Sequence, residues 1–184
     1  MFIQTEETPN PQVLKFIPGD VVLTEGTATF TKGDACGASS FAKRLLVLDG
    51  IESLFLGADF ISVTKQEAVD WYVLKPDIIG LIMEYFVAKK PLIDNGSDFQ
   101  DRPLKEFTDP LCKQIQELIE TRVRPAVAQD GGDIEFEDFK EGIVYLKLSG
   151  ACQGCPSSTM TLKSGIENML KYYVPEVVEV RQIQ

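Results

Sequence analysis

The 184-residue sequence contains no histidine, and that absence removes much of ordinary active-site chemistry. The chain cannot assemble a nucleophile activated by histidine, nor a zinc site with imidazole ligands. Cysteine is scarce, with four residues, too few for the dense disulfide framework of a small secreted scaffold. Positive charge is also short, since 18 Lys and Arg face 28 Asp and Glu for a formal net charge of −10. The acidic excess runs along both halves, which disfavours nucleic acid as a partner because phosphate contacts need clustered Lys and Arg. No apolar run approaches the roughly 20 residues needed to cross a bilayer, which argues against membrane insertion. The segment Met1–Glu7 lacks the positive start and apolar stretch of a signal peptide, and its acidity argues against a retained transit peptide. These absences point to a soluble intracellular protein.

The chain is 44% hydrophobic and 25% charged, an ordinary globular composition that can bury a core. From Lys90 to Thr108 prolines, Asn95-Gly96-Ser97 and scattered charges interrupt every hydrophobic period. This stretch divides the chain into a first domain, 1–89, a linker, 90–108, and a second domain, 109–184. In the first, Val13–Ile17, Ala28–Thr31, Ile51–Leu56 and Phe60–Thr64 are expected strands, the last two joined as a hairpin through Gly57-Ala58-Asp59. Ser39-Ser40 opens a short helix carrying Phe41, Leu45 and Leu48, and a second helix is expected from Pro76 to Ala88.

The second domain opens at Asp109-Pro110, an N-cap followed by a proline whose missing N–H costs nothing in the first turn. Leu111, Ile115, Leu118 and Ile119 make one apolar stripe. Pro125 is expected to kink or restart that helix, and Asp130-Gly131-Gly132-Asp133 to end it, with the two aspartates in turn and cap roles. Strands follow at Ile134–Phe139 and Ile143–Leu148, then a helix with Leu162, Ile166, Met169, Leu170 and Tyr173 inward, and a short strand at Val177–Val180. The expected class is α+β: an antiparallel sheet with two helices, then an α-β-β-α domain.

Between the strand Ile143–Leu148 and the helix that carries Leu162 lies Cys152-Gln153-Gly154-Cys155-Pro156. Two close thiolates form a pincer for a soft metal, and Cys155 adjoins the start of a helix, where unpaired N–H groups favour the thiolate. Cys36 and Cys112 stand alone and read as structural, as Trp71 reads as a packing anchor. Four thiolates satisfy a 4Fe-4S cluster, a 2Fe-2S cluster or a structural zinc. One pair per chain and no histidine therefore point to a symmetric dimer that completes the site from a second copy. A thioredoxin-like dithiol oxidoreductase is the alternative reading, although such motifs usually open the first helix of a βαβ unit. Two cysteines packed as small apolar residues is a third.

The residues also carry a resemblance. Asp130-Gly131-Gly132-Asp133, Gly142-Ile143-Val144, Cys152-x-x-Cys155-Pro156-Ser157-Ser158 and Pro175-Glu176-Val177 resemble the NifU-like C-terminal domain of Nfu iron-sulfur cluster carriers. Met1–Gln4, Thr8-Pro9-Asn10-Pro11, Leu14–Gly19 and Leu74-Lys75-Pro76-Asp77 resemble the Nfu N-terminal domain. The resemblance implies a non-catalytic scaffold that binds a 4Fe-4S cluster between two protomers through Cys152 and Cys155, with 2Fe-2S ranked behind. It further implies upstream cluster-assembly proteins as donors, and transfer to apo iron-sulfur clients of the aconitase and lipoyl-synthase types. The bacterial cytoplasm or the mitochondrial matrix is the implied location. Cys36 and Cys112 fall outside the family motif.

Overall fold

The computed structural model describes residues 2–24, 26–32, 39–94, 107–152 and 156–183, with the side chains of 156–159 left aside. Cys36, Cys155 and most of the expected linker lie outside the described residues. The chain divides into two compact units, Met1–Asp101 and Arg102–Gln184, and the class is α+β.

In the first unit β1 (Gln4–Glu7), β2 (Val13–Ile17), β3 (Ala28–Thr31), β4 (Ile51–Leu56) and β5 (Ile61–Lys65) form one antiparallel sheet in the order β1-β2-β5-β4-β3. The strand β1 escapes a hydrophobicity search because QTEE has no apolar residue; its register against β2 holds it in place. The Thr8-Pro9-Asn10-Pro11 segment builds the connection between them. Here the Asn10 N–H donates to the Thr8 hydroxyl at 3.2 Å and the Gln12 N–H to Asn10 Oδ1 at 3.0 Å.

Helix α1 (Ser40–Leu46) starts where expected, with Ser39 Oγ accepting from the Ala42 N–H at 2.9 Å. It buries Phe41, Ala42, Leu45 and Leu46 against the sheet and α2. Helix α2 runs Trp71–Val87, five residues longer at its start than the proline suggests. Asp70 is the real N-cap, accepting from the Tyr72 N–H at 2.8 Å, and Pro76 sits inside the helix. Burial of Leu74, Ile78 and Ile82 outweighs the backbone hydrogen bond that proline forfeits. Trp71 is an anchor, as expected: its indole N–H donates to the Pro11 carbonyl at 3.1 Å.

The second unit opens with α3 (Pro110–Leu118), capped by Asp109. A π-helical turn, Ile119–Val123, follows, and then α4 (Arg124–Gln129) with Pro125 in its first turn. Pro125 thus restarts the helix, and the widened turn absorbs the carbonyl that has no N–H to receive. Strands β6 (Gly132–Lys140) and β7 (Ile143–Gly150) form a hairpin whose turn residues Glu141 and Gly142 both take positive φ, 50° and 80°.

Helix α5 (Pro156–Tyr173) then carries the chain to β8 (Glu179–Ile183), which pairs parallel to β7. This strand begins two residues later than the apolar run Val177–Val180 suggests. The Val178 and Glu179 N–H groups are held at 2.7 and 3.2 Å by the Gly142 carbonyl before the ladder starts. Val144, Leu146, Leu148, Ile166 and Leu170 are buried as expected and Leu162 and Met169 partly so, but Tyr173, at the end of α5, is 38% exposed, with the Arg122 guanidinium 5.0 Å from its ring.

One carboxylate ties α5 to β8. Glu167 receives the Lys171 ammonium at 2.6 Å and the Val180 N–H at 3.1 Å, and these bonds, the lysine foremost, hold its carboxyl below the ordinary value of 4.5. A depressed carboxylate stabilises the fold above its unfolded pKa and loses that contribution as pH falls through the folded one. Glu167→Gln is therefore expected to lower the hydrogen-exchange protection of the Val180 amide at neutral pH. The difference from the parent should close as the pH drops below the ordinary carboxylate value, so a gap unchanged in acid would contradict the assignment.

Candidate functional site

The strand β7 ends at Gly150, directly opposite Gly132, the first residue of β6. The Asp-Gly-Gly-Asp segment and the cysteine turn are thus two halves of one sheet end. Gly131, at φ 78°, turns the chain out of α4 into β6, a conformation that an L side chain rarely takes. Its carbonyl accepts the Ala151 N–H at 3.1 Å, extending the ladder one step into the cysteine turn.

Cys152 follows in that turn and is 6% exposed, packed into the core of the second unit with Ile134, Leu148 and Ile166. It lies over Gly132 so closely that a Cβ there would stand 2.7 Å from Sγ and 3.2 Å from Cβ of Cys152. The same Cβ would meet the Ser149 carbonyl oxygen at 2.9 Å. Cys155, the other expected ligand, lies outside the described residues; in sequence it immediately precedes Pro156, where α5 begins.

Asp133 corrects an expectation. It is neither turn nor cap but the second residue of β6, buried, with Oδ1 receiving Arg124 Nε at 2.8 Å and Oδ2 receiving the guanidinium at 3.1 Å. Arg124 also reaches Glu120 at 2.8 Å. Burial alone would lower the guanidinium pKa, but the bonds from Asp133 and Glu120 outweigh it and leave the group firmly cationic. The sequence carried a hint of this link: Arg124 is nine residues before Asp133, about the length of α4 plus the two-glycine turn. Asp130 does sit at the C-cap of α4, as expected.

Cys112 is buried in the same core from the first turn of α3, and burial first, then Asp109 and Asp138, push its thiol pKa up. A raised thiol is a poor metal ligand, which fits its reading as a packed side chain. Among the described residues no group of three or more His, Cys, Asp or Glu stands close enough to hold a metal ion. A shallow groove of about 680 Å³ in the first unit, between Lys43, Arg44 and Val47 on one side and Pro76, Asp77 and Gly80 on the other, has no cysteine in its lining.

The topology also removes one expected discriminator. Because β8 runs parallel to β7, the segment β7-α5-β8 is itself a strand-helix-strand unit with the cysteine pair at its strand-to-helix junction. Position after a hairpin therefore does not separate this site from a dithiol redox site.

Comparison with known proteins follows the same division. Residues 3–89 match the family described as scaffold protein Nfu/NifU N terminal, and residues 115–181 match the NifU-like domain. The whole chain is 44% identical over 184 residues to the NFU1 iron-sulfur cluster scaffold homolog, mitochondrial, of Drosophila sechellia, and covers 65% of that protein. It is 45% identical, again over its full length, to the protein of the same name in Drosophila virilis, covering 62% of it. The chain thus spans somewhat under two thirds of the length of these relatives. It is also similar to a solution NMR structure of a NifU-like protein from Saccharomyces cerevisiae, with 29% identity, a TM-score of 0.47, and coverage of 52% of this chain and 86% of that one.

Proposed function

The chain belongs to the Nfu family of scaffold proteins, and from that premise we propose that it carries an iron-sulfur cluster as cargo on Cys152 and Cys155. The observation that carries the reading is the position of Cys152, three residues before Cys155, at the junction of β7 and α5 in the NifU-like domain. Each thiol gives up its proton as its sulfur takes iron, so loading releases protons and is favoured by anything that stabilises the thiolate. The N-terminal end of α5 is such a feature for Cys155.

The pair supplies half of the four protein ligands that a 4Fe-4S cluster needs, and the chain has no histidine to supply others. A second copy of the same loop completes the set, so the holo form proposed is a dimer bridged by the cluster. Separation of the two copies then removes half the ligands together, which suits transfer to apo iron-sulfur clients and makes no demand for catalysis. Clients of the aconitase and lipoyl-synthase types, upstream cluster-assembly donors, and a mitochondrial matrix or bacterial cytoplasmic location belong to the same proposal. The names of the relatives above are mitochondrial.

A dithiol oxidoreductase is the second reading, favoured by the parallel β7-α5-β8 arrangement around the pair. Metal analysis of the full chain purified without oxygen separates the two. Iron with equimolar acid-labile sulfide supports the carrier. Zinc, or metal-free protein that turns over a disulfide substrate, contradicts it.

A further inference from the structure

The contact between Gly132 and Cys152 suggests how the site is held before cargo arrives. A glycine is expected at Gly131, where φ is positive; Gly132 has no such need. What Gly132 lacks is a Cβ, and the space a Cβ would take is filled by the Cys152 sulfur. Beside it, Asp133 is fastened to Arg124, and Arg124 to Glu120, so the floor under the sulfur is tied to the preceding helical segment on its far side.

We propose that Gly132 is the seat of the Cys152 thiol, a positioning residue that holds the sulfur turned into the domain until the cysteine swings out to bind a metal. The inference rests on the reading of Cys152 as a ligand. In the seated state Cys152 is sheathed from solvent and oxidants, and metal loading competes with the seat. A side chain at Gly132 closes the seat and shifts Cys152 to the outward state before any metal is present.

The test uses the full, iron-free chain in a Cys36→Ser/Cys155→Ser background, in which only Cys112 and Cys152 remain. Both are buried in the same core, so Cys112 serves as an internal reference for loss of structure. N-ethylmaleimide labelling, followed by peptide mass spectrometry, reads each thiol separately.

With Gly132→Ala the labelling of Cys152 should accelerate by about tenfold or more, the factor expected when an overpacked contact is relieved by expelling the side chain, while Cys112 keeps its rate. Equal acceleration of both thiols, or no change in either, would overturn the proposal.

The Ser149 carbonyl is also close to the new methyl group, so the variant is paired with Gly132→Ala/Cys152→Ala. Because the Ser149 contact is common to both variants, the comparison is a double-mutant cycle in unfolding stability: Gly132→Ala should cost less in the Cys152→Ala background than in the parent if the seat is right, and an equal cost in both contradicts it. No iron enters either measurement, so a wrong cluster assignment and a wrong seat give different results.

Discussion

Cys152→Ser and Cys155→Ser are each expected to reduce reconstituted iron to background, while Cys36→Ser and Cys112→Ser load as the parent does. The reason is stoichiometric. In a cluster shared by two copies, one substitution removes a ligand from each, so two of the four thiolate ligands vanish together. Serine is a poor replacement because its hydroxyl stays protonated where a thiolate forms readily. Cys112 is predicted to be silent on physical grounds: it is buried within the first turn of α3, and its thiol pKa is raised. Visible absorption and iron content after anaerobic reconstitution provide the readout. A full cluster in either of the first two variants would contradict the assignment.

The second large effect is on stability. Asp133→Ala leaves the Arg124 guanidinium without its principal partner and the Ile134 N–H without the acceptor it meets at 2.9 Å. Breaking a buried charge pair from one side costs about 3 to 5 kcal/mol, but Arg124 is a third exposed and keeps Glu120, so about 2 to 3 kcal/mol is expected here. Asp133→Asn should cost less, since the amide oxygen can still receive the Ile134 N–H. Hydrogen exchange of the β6 and β7 amides in the full chain measures this, with the first unit as an internal reference. A loss below about 0.5 kcal/mol would mean that the pair behaves as an ordinary surface ion pair.

Much of this architecture was legible from local chemistry. The strands β2 and β3, the Ser39 cap of α1 and the Asp109-Pro110 start of α3 fall where short-range rules put them. What escaped depends on partners distant in sequence. The polar strand β1 is held by its pairing with β2, and α2 passes through Pro76 because Leu74 is needed in the core.

At the site, the metal-pair reading of Cys152 and Cys155 rests on their spacing, which is a local signal in the sequence. The role of Asp133 was not legible, because a buried ion pair with Arg124 across a turn cannot be told from a cap by residue type. Gly132 was legible as a glycine but not as a contact, since its packing against Cys152 follows from the register Gly132↔Gly150. That same register, with the parallel partner β8, dissolved the topological argument against a redox site. The weight therefore falls on the ligand count and the family.

Native mass spectrometry of the anaerobically reconstituted full chain addresses that count directly. The account predicts a species of two chains carrying one 4Fe-4S cluster, which separates to apo monomers when the cluster is chelated away. A cluster retained on a single chain, or a metal-bound dimer that holds zinc instead of iron and sulfide, would contradict it.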